Sequence, residues 1–170
     1  MKGPGVLVIG CLLIFSCTGQ RPANIGVHNG RLADCPSKPN CVSSQAADED
    51  HAVAPFRYQG EKMAAFKRLE KIMESFERST IIAKSDDYLH IECKSAIMGF
   101  VDDVEFYFPE EKVIHVRSAS RLGYSDLGVN RKRVEQLRKL FTGEVTDAQQ
   151  RLDANRQPAL LCHPKLVGPS

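Results

Sequence analysis

Tyr88–Ser95 reads YLHIECKS, and its alternation decides the fold. Leu89, Ile91 and Cys93 fall on one side of an extended chain, and Tyr88, His90, Glu92 and Lys94 on the other. A parallel strand buried on both faces would be apolar throughout, so this pattern belongs to an antiparallel sheet with one covered face. Met98–Phe108 (MGFVDDVEFYF) repeats it, setting Val104, Phe106 and Phe108 against Asp103, Glu105 and Tyr107. Pro109-Glu110-Glu111-Lys112 closes a hairpin, and Val113–Ser120 returns with Ile114 and Val116 inward. Upstream, Ser85-Asp86-Asp87 turns back onto a short β-branched strand, Thr80–Lys84.

Working outward, residues 60–77 predict a helix, with Met63, Phe66, Leu69, Ile72, Met73 and Phe76 at helical spacing. Lys67, Arg68, Glu70, Lys71 and Glu74 cover its other side. A second helix is expected over residues 127–141, with Leu127, Val134, Leu137, Leu140 and Phe141 as its stripe and Thr142-Gly143 as its stop. Helix, strands, helix predicts a two-layer α+β domain, an antiparallel four-stranded sheet with two helices packed on one face. Ala54–Tyr58 reads as a short extended piece, and Cys35–Ala54 as a polar, turn-rich segment.

The amino terminus carries a different signal. Gly5–Ser16 (GVLVIGCLLIFS) is free of charge, follows Lys2 and ends at Cys17. Such a run has the length of a secretory apolar region and is short for a membrane span. It resembles a bacterial lipoprotein signal, which implies lipidation of Cys17, for instance by palmitate, as the first mature residue. More than one acyl chain makes such an anchor stable. The expected division is a signal over residues 1–16, a flexible tether over 17–34, one domain over 35–142 and a loosely packed tail over 143–170.

The 170 residues carry 23 lysines and arginines against 21 aspartates and glutamates, a balance that leaves no footprint for nucleic acid. Tryptophan is absent and aromatics make up 7%, so no stacking platform is implied. Of six cysteines, Cys11 would leave with the signal and Cys17 would carry lipid. Cys35, Cys41, Cys93 and Cys162 remain, with three connectivities open. Cys35 and Cys41 bracket the Pro-rich PSKPN, which favours that disulfide. Cys93 either pairs with Cys162 or is a buried thiol. The cysteines come without CxxC or HxxxH spacing, so no metal or other cofactor is expected.

Three groups can carry chemistry. CPSKPNCVSS (35–44) with His51 offers a nucleophile and a base, but reads more simply as a stapled loop. Val116–Arg133 (VRSASRLGYSDLGVNRKR) brings Arg117, Arg121, Asp126, Asn130 and Arg131 around a helix start, the makings of an anion site. Asp126 as a helix cap is the plainer alternative, and Asn130 on the apolar side of the helix needs an internal partner. The third group is the polar row Tyr88, His90, Glu92, Lys94, Glu105, Tyr107, His115 and Arg117, expected as the solvated sheet face, with Glu92 a candidate acid or base. Asp102 and Asp103 point to opposite faces and cannot serve one small site.

CPSKPNCVSSQA (35–46) with His51, MGFVDDVEFYF (98–108) and VRSASRLGYSDLGVNRKRVEQLR (116–138) together resemble the bacterial and plastid family known as domain of unknown function 1499. The resemblance covers about residues 33–142 and implies an exported or membrane-associated single domain, without an activity, cofactor or catalytic residue. The strand-rich middle ending in a helix is also similar to helix-grip lipid-binding domains. The expectation is a membrane-tethered, non-enzymatic lipoprotein of the cell envelope, facing the periplasm from the outer membrane where the host has two membranes. Its partner would be an anionic lipid, a cell-wall component or a protein. The alternative is an envelope hydrolase or transferase, or a lipid carrier, acting on an anionic lipid or cell-wall component, with His51 or Glu92 moving the proton.

Overall fold

The computed structural model describes residues 19–95 and 99–144. In chain order these form β1 (Cys41–Ser43), β2 (Phe56–Arg57), α1 (Lys62–Ser75), β3 (Ser79–Lys84), β4 (Tyr88–Lys94), β5 (Val101–Tyr107), β6 (Val113–Ser120) and α2 (Val129–Thr142). The fold is α+β, as expected, but the sheet has six strands rather than four. The order is β1-β6-β5-β4-β3, with β2 also paired to β6, and every pairing is antiparallel. β2 falls within Ala54–Tyr58, expected as a short extended piece, whereas β1, in the segment expected to be turn-rich, spans three residues, too few for alternation to show. Both exist only because β6 offers them an edge.

Register fixes which side chains share a face. Leu89, Phe106 and Val116 lie abreast across β4, β5 and β6, as do Ile91, Val104 and Ser118. Against this row pack Ala65, Phe66, Leu69 and Met73 of α1 and Val134, Leu137 and Phe141 of α2. Phe76 caps α1 and is fully buried, so it joins the core from just beyond the helix. Phe56 from β2 seals the edge, its ring 5.8 Å from those of Phe106 and Phe141.

Leu127 departs from expectation. Helical spacing assigns it to the apolar stripe of the second helix, yet α2 begins at Val129 and Leu127 is 83% exposed with a positive φ of 54°. Gly128, next in the chain, is left-handed too (φ 79°), so the helix cannot extend back through the turn, which the Asp126 carboxylate braces. At the other end Gly143 closes α2 in the left-handed conformation (φ 80°), as the Thr-Gly stop predicts.

Cys35 and Cys41 form the disulfide favoured by their spacing. It ties the loop before β1 to the sheet edge. Serine at both positions is expected to cost about 2 kcal/mol, the closure entropy of so short a loop, read as a lowered melting temperature that reductant reproduces in the native chain. Cys93 is buried in β4, while Cys162, Cys17, Cys11 and most of the 143–170 tail lie outside the described residues. No helix among the described residues is long and apolar enough to cross a membrane.

Residues 19–34, expected as a flexible tether, lie against the sheet. Arg21 pairs with Glu92, the Gly26 amide donates to Glu105 at 2.8 Å, and Leu32 is 3% exposed. This covers much of the sheet face opposite the helices, so His90, Glu105 and Arg117 of the polar row are buried rather than solvated, while Lys94 at its end stays exposed.

Candidate functional site

On that covered face the register places like charges side by side. Glu92 lies opposite Asp103, and His90 opposite Glu105, across β4 and β5. Three carboxylates on neighbouring strands repel one another unless cations stand between them. Arg121, Arg21 and Arg117 supply three. Arg121 grips Asp103 with two hydrogen bonds, Nε to Oδ2 at 2.8 Å and a terminal nitrogen to Oδ1 at 2.7 Å, and also donates to Glu92. Arg21 donates to the same Glu92 oxygen. Arg117, directly across from Glu105, donates to its Oε2 at 3.1 Å. The three carboxylates and three guanidiniums balance.

The centre of the network is buried, and its Arg21–Glu92 end reaches solvent. His90, Asp103, Glu105 and Arg117 are each buried, and the Arg121 side chain is 6% exposed. Burial pushes the Asp103 carboxyl up, but hydrogen bonds from Arg121 and His90 outweigh it and hold it below the ordinary range. Glu92 behaves alike: burial raises it, and the bonds from Arg21 and Arg121 bring it lower. Arg121 is raised by its bonds to Asp103 and Glu92, against the effect of burial. The ionised Asp103 only accepts, so His90 carries its proton on Nε2, 2.8 Å away. Tyr88 donates to Glu105 at 2.8 Å, and burial together with that carboxylate drives its hydroxyl strongly upward.

A second polar cluster lies on the helix side. Asp102 faces α2 and meets Arg133 of that helix. Asn130, fully buried, donates to the Asn40 carbonyl (3.0 Å), Ser120 Oγ (3.0 Å) and Asp126 (2.7 Å), and accepts from Ser118 and Arg133 (both 2.6 Å). Asp126 also receives the amides of Gly128 and Asn130 at 2.8 Å. The chain's own carboxylate therefore occupies the helix start that sequence marked as an anion site.

The other candidates are dispersed. Arg131 donates to the carbonyls of Ala52 and Asp50 at 2.6 Å, beside a shallow cleft of about 160 Å³ lined in part by Pro39, Asp50 and Asp126. His51 sits in the same loop region, bonded to Asp48 (2.6 Å) and the Lys38 carbonyl (3.1 Å). The Lys38 bond, with Asp48 helping, raises its pKa despite burial. Glu92 does lie beside Arg121, but inside the charged network. Thus the two candidate proton carriers belong to different parts of the fold. Among the described residues no group of His, Cys, Asp and Glu is arranged to hold a metal.

Sequence reasoning passed over Arg21, set Asp103 aside, and named Arg133 and Ser44 only as members of longer segments. Arg133 was within reach, lying three residues after Asn130 and hence on the same face of α2. Ser44 had only its place in the CVSS run. Its Oγ accepts the Val116 amide at 2.9 Å and lies 3.2 Å from His115 Nδ1, a ring that burial holds below the ordinary histidine range.

Residues 31–141 match the family described as protein of unknown function (DUF1499). The chain belongs to the DUF1499 family. The matched span runs from the last residues laid over the charged face to the end of α2, so both polar clusters lie almost wholly within the DUF1499 domain. Arg21 and Gly26, which complete the cover of the charged face, precede it. No curated protein and no solved structure matches the chain.

Proposed function

We propose that this DUF1499 protein is an exported lipoprotein, held at the cell envelope by acyl chains on Cys17, whose domain is a non-enzymatic binding or structural module. The observation that carries this is the Cys35–Cys41 disulfide in a chain whose short apolar start ends at Cys17. Disulfides persist in oxidising compartments. Arg117, Arg121 and Asn130 spend their hydrogen bonds internally, which supports a scaffolding role for them and leaves recognition to the surface. Its partner would be an anionic lipid, a cell-wall component or a protein, met at the periplasmic face of the outer membrane where there are two membranes.

Intact mass spectrometry of protein extracted from its native membrane tests the reading. The expected mass is that of a chain starting at an acylated Cys17 and carrying the Cys35–Cys41 bridge. Unmodified protein beginning at Met1 in the soluble fraction would overturn it.

One contact favours a second reading, an envelope hydrolase or transferase: Ser44 Oγ lies 3.2 Å from Nδ1 of His115, a ring whose pKa burial lowers. A fluorophosphonate probe that labels the native chain but not Ser44→Ala supports it, and an unlabelled native chain removes it. A lipid carrier would need a cavity of roughly 300 Å³ or more. Leu69, Met73, Phe76, Phe106 and Leu137, all fully buried, fill the space between helices and sheet.

A further inference from the structure

The loop joining β6 to α2 presents three large apolar side chains to solvent: Leu122 (39% exposed), Tyr124 (71%) and Leu127 (83%). A single exposed leucine is ordinary, but three such residues within one short loop form a patch. The loop is held rather than loose. Asn40 Nδ2 donates to the Gly123 carbonyl at 2.9 Å, the Asp126 amide donates to the Pro39 carbonyl at 3.3 Å, and the Leu127 amide donates to Ser125 Oγ at 3.2 Å. Leu127 is fixed in the left-handed region that glycine or asparagine adopts with less strain. Strain of this kind persists where the surroundings impose it, and it gathers at functional segments.

The position of the chain start gives the patch a partner. A Cβ at Gly19 would lie 2.9 Å from the Arg121 Cβ and 3.0 Å from the Leu122 Cγ, so the backbone at residue 19 runs against the root of this loop. Cys17 is two residues earlier, a reach of about 7 Å. Acyl chains on Cys17 would therefore leave the domain at the edge where Leu122, Tyr124 and Leu127 project. Lys132, exposed on the first turns of α2, adds a positive charge suited to anionic headgroups.

We infer that Leu122, Tyr124 and Leu127 enter the interfacial layer of the bilayer that holds Cys17, and so fix the orientation of the domain on the membrane. The tyrosine ring, apolar with a polar tip, suits headgroup depth, and the two leucines suit the acyl boundary. The inference rests on the anchoring proposed above.

The chain has no tryptophan, so Tyr124→Trp introduces a single fluorescent reporter. Met63→Trp is the control. Met63 is 48% exposed near the start of α1, which Lys62 ties to Glu110 in the β5–β6 turn, at the other end of β6 from the loop. Each full-length variant is reconstituted into phosphatidylethanolamine and phosphatidylglycerol vesicles, and intact mass is read on the same sample. The expected result for Tyr124→Trp is an acylated chain whose indole is quenched by lipids brominated on the acyl chain and shielded from aqueous iodide. The indole of Met63→Trp should show the reverse. An acylated Tyr124→Trp chain whose indole is open to iodide overturns the inference and leaves the anchoring intact. The same variant without acylation, but still quenched by brominated lipid, supports the loop contact and overturns the anchoring. Absence of both overturns both. Unchanged circular dichroism verifies that each variant is folded.

Discussion

Asp103→Ala is expected to lower the free energy of unfolding by about 3–5 kcal/mol, the usual consequence of removing one partner from a buried ion pair. Asp103 is 1% exposed and receives both donors of Arg121 and the His90 Nε2 proton. Without it, the Arg121 guanidinium keeps only Glu92 and the His90 ring N–H loses its acceptor, both in a largely buried place. For a domain of this size the melting temperature should fall by roughly 10 °C or more. Asp103→Leu combined with Arg121→Met should recover much of the loss, because the pair then leaves no charge stranded. A loss below about 1 kcal/mol for the single variant would show that the network is dispensable.

The same residue sets the direction of acid sensitivity. The folded-state pKa values of Asp103 and Glu92 are depressed relative to the ordinary carboxylate values near 4. Stability from these groups is therefore complete above the unfolded pKa and is lost as pH falls through the folded one. Native protein should weaken on acidification below about pH 4, and Asp103→Ala should show a flatter limb in that window. Chemical denaturation at stepped pH reads both.

Asn130→Ala should cost roughly 3 kcal/mol by a different route, the stranding of buried polar groups. Asn130 joins five partners from three parts of the chain: the Asn40 carbonyl, Ser118 and Ser120 of β6, and Asp126 and Arg133 at α2. Alanine removes little volume but leaves several of these groups unsatisfied, each worth about 1–3 kcal/mol. The start of α2 and the loop before it should loosen first, read as faster amide exchange at Gly128 and Asn130 than in the helix middle. Uniform exchange along α2 with an unchanged melting temperature would contradict this. Since the loop carrying Tyr124 is held through Asn40 and Asp126, both partners of Asn130, adding Asn130→Ala to Tyr124→Trp should also weaken the quenching by brominated lipid.

Local pattern in the chain was enough for the two helices, the four longer strands, their antiparallel character and the division of each into an apolar and a polar side, and it favoured the Cys35–Cys41 bridge. These follow from periodicity and loop closure, which act over a few neighbouring residues. It also required that Asp102 and Asp103 serve opposite faces, and they do, one meeting Arg133 and the other Arg121. Only long-range packing could show that the centre of the polar face is buried. Nothing local in YLHIECKS says that Arg21 and Gly26, far off in the chain, will lie across it, or that the face will then need an arginine for each carboxylate. The pairing of the two shortest strands and the outward Leu127 are of the same kind, fixed by an edge on β6 and by the turn that Asp126 braces before Gly128. Burial of charge is a property of what comes to rest on top of it, and alternation along one strand carries no record of that.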